Sequence, residues 1–285
     1  MPAALANLHG VIQPLAEAKV SVLDRGFLFG DAVYEGLHVV DGKPRFLDLH
    51  MARLERSLSE LRIGPIDLSR LRQRIKDTIA AGPFDEAFLY IQITRGAGPT
   101  RSHAFPPSGT VPTEFLFVES FKDPYGELRH TGIAVVTQPD LRWHRCDVKS
   151  TNLLGNVLAF QAGKEQGASE AILVRPDGTI TEGTRSSLFG VVDGIIRTGP
   201  LSPDILPGVT RMVTVQLIHQ LKLPVTEKHL HITEVDRLQE LFLTGTTAEI
   251  LPISSINGKQ VGNGKPGAFT LALQRAFIDF VNRQS

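Results

Sequence analysis

Arg145-Cys146-Asp147-Val148-Lys149-Ser150-Thr151-Asn152-Leu153-Leu154-Gly155-Asn156 is the stretch on which the reading of this chain turns. A strand-like run, Ile133-Ala134-Val135-Val136-Thr137, precedes it across a short loop. After it, Leu153, Leu154, Val157, Leu158 and Phe160 fall at roughly helical spacing. Lys149 is therefore expected where an extended segment meets a helix, with Ser150, Thr151 and Asn152 as candidate N-caps. An amine in front of a helix N-terminus feels the positive end of the peptide dipoles, and burial also works against its charge. Both effects suit an amine to Schiff-base chemistry.

Working outward, bulk composition fits an enzyme that carries no large charged field. The 285 residues include 30 Lys plus Arg against 30 Asp plus Glu, so nothing points to nucleic acid or an anionic membrane. No apolar run approaches the ~20 residues that a bilayer span requires. Met1 to Gly10 carries Pro2 and Asn7 and no basic cluster, and it is not expected to be a signal peptide. Cys146 is the single cysteine, which excludes an intrachain disulfide and a cysteine metal cluster. The nine histidines show no metal-binding spacing, and the expected compartment is the cytoplasm.

The pattern predicts a mixed α/β (α+β) chain. Val33 to Val40 and Arg45-Phe46 read as strands joined at Asp41-Gly42, and Asp48 reads as the cap of a helix striped by Leu47, Met51, Leu54, Leu58 and Leu61. A second helix is expected from Leu68 to Ala81, stopping at Gly82-Pro83. Strands follow at Ala87 to Thr94 and Glu114 to Ser120, separated by a loop rich in Gly, Pro and Ser; a loop of this length is usually functional or disordered. Residues 1–121 then form a smaller N-terminal domain, 122–127 a linker, and 128–285 a larger C-terminal domain. In that second part strands are expected at Ala171 to Val174, around Thr179 to Val192, and at Leu241 to Thr244 and Ile250 to Ile253. Leu206-Pro207-Gly208 leads into a helix bearing Met212, Val215 and Ile218, and Ala268 to Val281 closes the chain as a helix.

Six motifs stand in order: Asp24-Arg25-Gly26-Phe27-Leu28-Phe29-Gly30-Asp31, His50-Met51-Ala52-Arg53-Leu54, the lysine segment, Thr181-Glu182-Gly183-Thr184, Ile205-Leu206-Pro207-Gly208-Val209-Thr210-Arg211 and Gly245-Thr246-Thr247-Ala248-Glu249. Together they resemble the fold-type-IV family of pyridoxal-phosphate enzymes, from about Asp24 to Phe280. That family holds D-amino-acid, branched-chain and R-amine aminotransferases and aminodeoxychorismate lyase. The resemblance implies a two-domain enzyme with pyridoxal 5′-phosphate between the domains, and a homodimer whose interface helps complete the substrate pocket. It makes Lys149 the Schiff-base lysine and proton carrier, and sets Glu182 against the pyridine nitrogen, where a carboxylate keeps that nitrogen protonated. It makes Arg53 the phosphate arginine. Val209 and Thr210, opening a helix, and Thr246 and Thr247, beside Gly245, supply the remaining phosphate donors.

Substrate choice rests on Thr94-Arg95-Gly96-Ala97-Gly98-Pro99-Thr100-Arg101-Ser102-His103-Ala104-Phe105-Pro106. In the D-amino-acid members an Arg-x-His pair here, with a tyrosine, binds the substrate carboxylate; the matching residues are Arg101, His103 and Tyr34. A guanidinium fork suits a carboxylate, and a phenol and an imidazole complete its hydrogen bonding. Two features depart from that pattern. The loop is one residue longer before the arginine, and His38 stands where a lysine is common, within a Val33-Tyr34-Glu35-Gly36-Leu37-His38 run closer to the branched-chain enzymes. The expected activity is transfer of the amino group of a D-amino acid, D-alanine first, to a 2-oxo acid such as 2-oxoglutarate. Branched-chain L-amino-acid or R-amine transfer, and the lyase reaction, are the alternatives.

Overall fold

The structure is a computed structural model that describes residues 3–284. The chain packs as two units. One holds the described residues up to Lys122 together with Val148–Asn152; the other holds Asp123–Asp147 and the chain from Leu153 onward.

In the first unit, β1 (Leu5–Leu8) and β2 (Val11–Pro14) form a hairpin. Its turn residues His9 and Gly10 are both left-handed, at φ 54° and 97°, the hand that a tight hairpin requires. A single helical turn, α1 (Arg25–Phe29), follows, then β3 (Ala32–Val40), β4 (Lys43–Pro44), α2 (Leu47–Leu61), α3 (Leu68–Ala81), β5 (Glu86–Thr94) and β6 (Glu114–Ser120). The strands make one antiparallel sheet in the order β2-β1-β6-β5-β3-β4. Period-two alternation along β3 buries Val33, Glu35, Leu37 and Val39 while Tyr34 and Gly36 stay half-buried. Val33, Leu37 and Val39 share a core with Met51, Leu54 and Leu58 of α2 and Leu71 and Ile75 of α3. Val148 joins that core.

Two local expectations are corrected here. The strand expected at Arg45-Phe46 lies at Lys43–Pro44, because Phe46 is left-handed at φ 55° and ends the extended run. Phe46 is also the N-cap of α2, without a side-chain cap; Asp48 sits inside the first turn and pairs with Arg72 at 2.7 Å.

The second unit contains α4 (Leu128–Thr131), β7 (Ile133–Pro139), α5 (Leu154–Glu165), β8 (Glu170–Val174), β9 (Thr179–Gly183), β10 (Ser187–Val192) and β11 (Ile195–Thr198). It continues with α6 (Val209–Gln220), β12 (Val225–Glu227), β13 (Leu230–His231), β14 (Glu240–Gly245), β15 (Glu249–Ile256), β16 (Lys259–Gln260) and α7 (Ala268–Gln284). The sheet runs β12-β11-β10-β14-β15-β7-β8-β9-β13, with β16 paired to β15. β7 lies parallel to both β15 and β8, and β10 and β14 run antiparallel at its centre, where Phe189 and Phe242 stack at 5.0 Å. Every residue of β10 is buried, as a strand covered on both faces should be.

Helix faces in this unit differ from their periodic reading. The apolar stripe after Lys149 points outward: Leu154, Val157 and Leu158 are 71%, 58% and 61% exposed. The small residues Ala159 and Gly163 let α5 lie close on β7 and β8, where a Cβ at Gly163 would stand 3.3 Å from Ala171. On α6 the buried face is Val213, Leu217 and Ile218, with Met212 and Val215 half-buried.

Candidate active site

The lysine segment is laid along β3. The Tyr34 amide donates to the Lys149 carbonyl at 3.0 Å, the Thr151 amide to the Ala32 carbonyl at 3.1 Å, and Ser150 bridges Val33. Gly30 makes this approach possible. It is the left-handed C-cap of α1 at φ 63°, a Cβ there would come 2.7 Å from Asn152 Oδ1, and its carbonyl accepts from Thr151 Oγ1 and Asn152 Nδ2. Lys149 thus sits in extended chain. The helix that was to polarise it begins at Leu154, with Leu153 as a cap lacking a side-chain bond, so Ser150, Thr151 and Asn152 do not cap it.

The amine of Lys149 stands over the ring of Tyr34, 4.1 Å from its centroid. Tyr34 stacks on Tyr90 at 5.6 Å, and Tyr90 on Phe117 at 5.0 Å. Burial, with Tyr34 beside it, pushes the Tyr90 phenol above its ordinary value. Behind β3, Arg53 forks onto Glu35 through Nε and Nη2, both at 2.7 Å, and His50 Nδ1 lies 2.7 Å from Glu35 Oε2. Burial works against the charge of Glu35, but the Arg53 guanidinium and the bonds from Arg53 and His50 hold its carboxyl at about 2. Burial likewise pushes the His50 imidazole below its ordinary value. An ionised carboxylate only accepts, so Nδ1 of a neutral His50 is the donor.

Arg101 and His103 form a separate group on the loop between β5 and β6. Both are exposed, and both lie on Phe29 of α1: the Arg101 guanidinium is 5.0 Å from the ring centroid and the His103 ring 5.4 Å. Among the described residues, Tyr34 meets Lys149 and Tyr90 rather than this pair.

In the second unit, Glu182 on β9 is 4% exposed, and burial pushes its carboxyl above the ordinary carboxylate value. Arg142 Nη1 donates to Glu182 Oε1 at 2.5 Å, and the Leu206 amide donates to both oxygens at 3.1 and 3.2 Å. Arg142 is itself forked onto Asp140 at 2.8 and 2.9 Å, and Thr181 Oγ1 donates to Asp140 at 2.8 Å. Asp140 and Arg142 were missed in the sequence. Their only local signal is an acid–base pair just after a strand, which ordinarily marks a solvated face. Cys146, beside them, donates its thiol to the Trp143 carbonyl, and burial pushes that thiol up to about 11.

Val209 and Thr210 open α6 behind the N-cap Gly208, which supplies no side-chain bond to the first turn. A Cβ at Gly208 would come 2.7 Å from Ser187 Oγ, and Ser187 pairs with Thr244 across β10 and β14. Thr244 Oγ1 is buried without a hydrogen-bond partner among the described residues. Thr246 and Thr247 form the half-buried turn after Gly245; the Thr247 carbonyl accepts from Arg129 Nη2 at 2.8 Å. Open helical N–H groups and an orphaned hydroxyl fit an anion such as the phosphate of pyridoxal phosphate. A buried carboxylate braced by a guanidinium fits a pyridine nitrogen that must stay protonated. Among the described residues no cluster of His, Cys, Asp or Glu could hold a metal ion.

Comparison with known proteins gives the family. The family described as amino-transferase class IV matches residues 32–256. A D-alanine aminotransferase of Bacillus licheniformis is 39% identical over 272 residues, covering 94% of each chain. That of Staphylococcus haemolyticus is 37% identical over 270 residues, covering 94% of this chain and 95% of the relative. Among solved structures, the branched-chain amino acid aminotransferase of Escherichia coli superposes with a TM-score of 0.88 at 27% identity, covering 98% of this chain and 95% of that one. A second structure of the Escherichia coli enzyme gives 0.87 at 26% identity, covering 98% and 94%.

Proposed function

The chain belongs to the class IV aminotransferases, and we propose that it is a pyridoxal-phosphate enzyme moving the amino group of a D-amino acid, D-alanine first, to a 2-oxo acid such as 2-oxoglutarate. The observation that carries the D-amino-acid reading is the pair Arg101 and His103, presented together on Phe29 by one loop. Identity of 34–39% with D-alanine aminotransferases over nearly the whole chain supports it.

When bound, pyridoxal phosphate supplies the electron sink that lets the Cα–H bond of an amino acid break. In the proposal Lys149 carries the cofactor and takes the Cα proton with its Nζ. Glu182, whose charge Arg142 and the Leu206 amide favour against the burial that raises its carboxyl, faces the pyridine nitrogen and favours a proton there. Val209, Thr210, Thr246, Thr247 and Arg53 hold the phosphate. Arg101 grips the substrate carboxylate in a fork, with His103 and Tyr34 completing its hydrogen bonds. Fixing the carboxylate decides which enantiomer presents its Cα–H to Lys149, and that sets the handedness. The reading includes a homodimer, which the exposed apolar face of α5 supports, and a cytoplasmic location, which the single cysteine supports.

A second reading, branched-chain L-amino-acid transfer, is favoured by the structural neighbours alone. Chiral analysis of products tests the choice. D-Alanine with 2-oxoglutarate is expected to give pyruvate and D-glutamate, with no pyruvate beyond one turnover when the oxo acid is omitted. L-Glutamate formed from L-leucine in place of that reaction would overturn it, and pyruvate released from aminodeoxychorismate without any oxo-acid acceptor, with no turnover of D-alanine, would indicate the lyase.

A further inference from the structure

The loop that carries Arg101 and His103 is exposed, yet its backbone is held from beneath. Arg25, 6% exposed on α1, sends Nη1 to the carbonyls of Ser102 at 2.6 Å and Ala104 at 3.0 Å, and Nη2 to the carbonyl of His103 at 3.4 Å. Its remaining Nε donates to Asp31 at 2.8 Å. Asp31 is gripped from the other side by Arg95, at 2.8 and 2.9 Å, and Arg95 in turn caps the α2 C-terminus through the carbonyls of Leu61 and Arg62, both at 2.7 Å. Arg25 is thus fixed before it meets the loop. While the carbonyls of Ser102, His103 and Ala104 turn inward to this one guanidinium, the side chains of Arg101, just before them, and His103, at their middle, stay exposed. Phe29, one turn along α1 from Arg25, is the platform on which both side chains come to rest.

We propose that Arg25 is the positioning residue of the carboxylate site: its grip on the 102–104 carbonyls sets Arg101 and His103 on Phe29 in the geometry that recognises an α-carboxylate. The proposal rests on the reading of Arg101 and His103 given above. Arg25 touches no substrate in it, and acts through the loop. The grip needs a planar fork of three directed N–H groups. Lysine, with a point charge, can keep the pair with Asp31 but cannot reproduce the fork.

The test compares holoenzyme Arg25→Lys and Arg101→Ala with the unaltered protein. Single-turnover conversion is followed with D-alanine and with a primary amine that lacks a carboxylate, alongside tryptic cleavage after Arg101. Arg25→Lys is expected to raise the half-saturating D-alanine concentration about ten-fold, the scale of weakening one hydrogen bond to a charged group, with the limiting rate and amine conversion little changed. Cleavage after Arg101 is expected to accelerate, since the freed bend enters a protease more readily. If Arg101→Ala raises the half-saturating concentration and Arg25→Lys changes neither it nor cleavage, the positioning role is refuted alone. If Arg101→Ala also has no effect, the carboxylate reading itself fails. Should Arg25→Lys not fold, Asp31→Asn carries the test: it loosens the anchor that aims Arg25 at the bend while leaving Arg101, His103 and Phe29 in place. The same selective loss for D-alanine supports the inference, and unchanged affinity overturns it.

Discussion

Replacing Glu35 by Gln isolates the buried trio behind the lysine strand. Glu35 is 1% exposed, accepts two bonds from Arg53 and one from His50, and its carboxyl is held at about 2 against an ordinary 4.5. At 1.36 kcal/mol per decade, that drop is worth roughly 3 kcal/mol of stability. Because the folded value lies below the unfolded one, the contribution is complete above pH 4.5 and is lost as pH falls toward 2. By pH ~3 about 2 kcal/mol of it is gone. The substitution also leaves the Arg53 guanidinium buried without its counter-charge, a cost of about 3–5 kcal/mol. Urea denaturation of the apo-protein at neutral pH and at several acidic values reads both effects. Glu35→Gln is expected to unfold at lower urea by about 3 kcal/mol near neutrality, with the gap to the unaltered protein narrowing in acid. Equal midpoints at neutral pH, or a gap that widens in acid, would refute this account of the trio.

Other outcomes follow from the same geometry. Arg142→Met removes the charge that opposes the burial of Glu182; its carboxyl then rises further, and equilibrium dialysis is expected to show cofactor affinity down at least about ten-fold, weakening as pH falls. Gly30→Ala forces a side chain into a left-handed position and within 2.7 Å of Asn152 Oδ1, which should cost about 1–3 kcal/mol in a thermal melt and slow the half-reaction by displacing Lys149. Thr244→Val replaces an orphaned buried hydroxyl by a methyl group, so the apo-protein should gain about 1 kcal/mol while phosphate affinity falls. A holo-protein stabilised as much as the apo-protein would exclude that hydroxyl from the phosphate cup.

Elements with long periodic patterns were legible in the chain. The helix Leu68–Ala81 and the strands β5 and β6 were read nearly to the residue, because alternation and a Gly-Pro stop are local signals. The β1–β2 hairpin escaped because its strands are four residues each, and its turn depends on His9 being left-handed, which few side chains advertise. The outward stripe of α5 escaped for a different reason: Ala159 and Gly163 win the contact with the sheet through close approach, so the larger apolar residues face away. Lys149 was expected at the mouth of a helix, yet it is oriented by pairing with β3 rather than by a helix dipole. Arg142 and Arg25 act on partners about 40 and 77 residues distant, a separation no local pattern reports.

The central claim is tested most directly by the absorbance spectrum of the purified protein supplied with pyridoxal phosphate, recorded alone, with D-alanine and with L-leucine. The account predicts a visible band that D-alanine discharges to the pyridoxamine form while L-leucine leaves it in place. Discharge by L-leucine but not by D-alanine would contradict the assigned specificity, and absence of any band after cofactor is supplied would contradict the site itself.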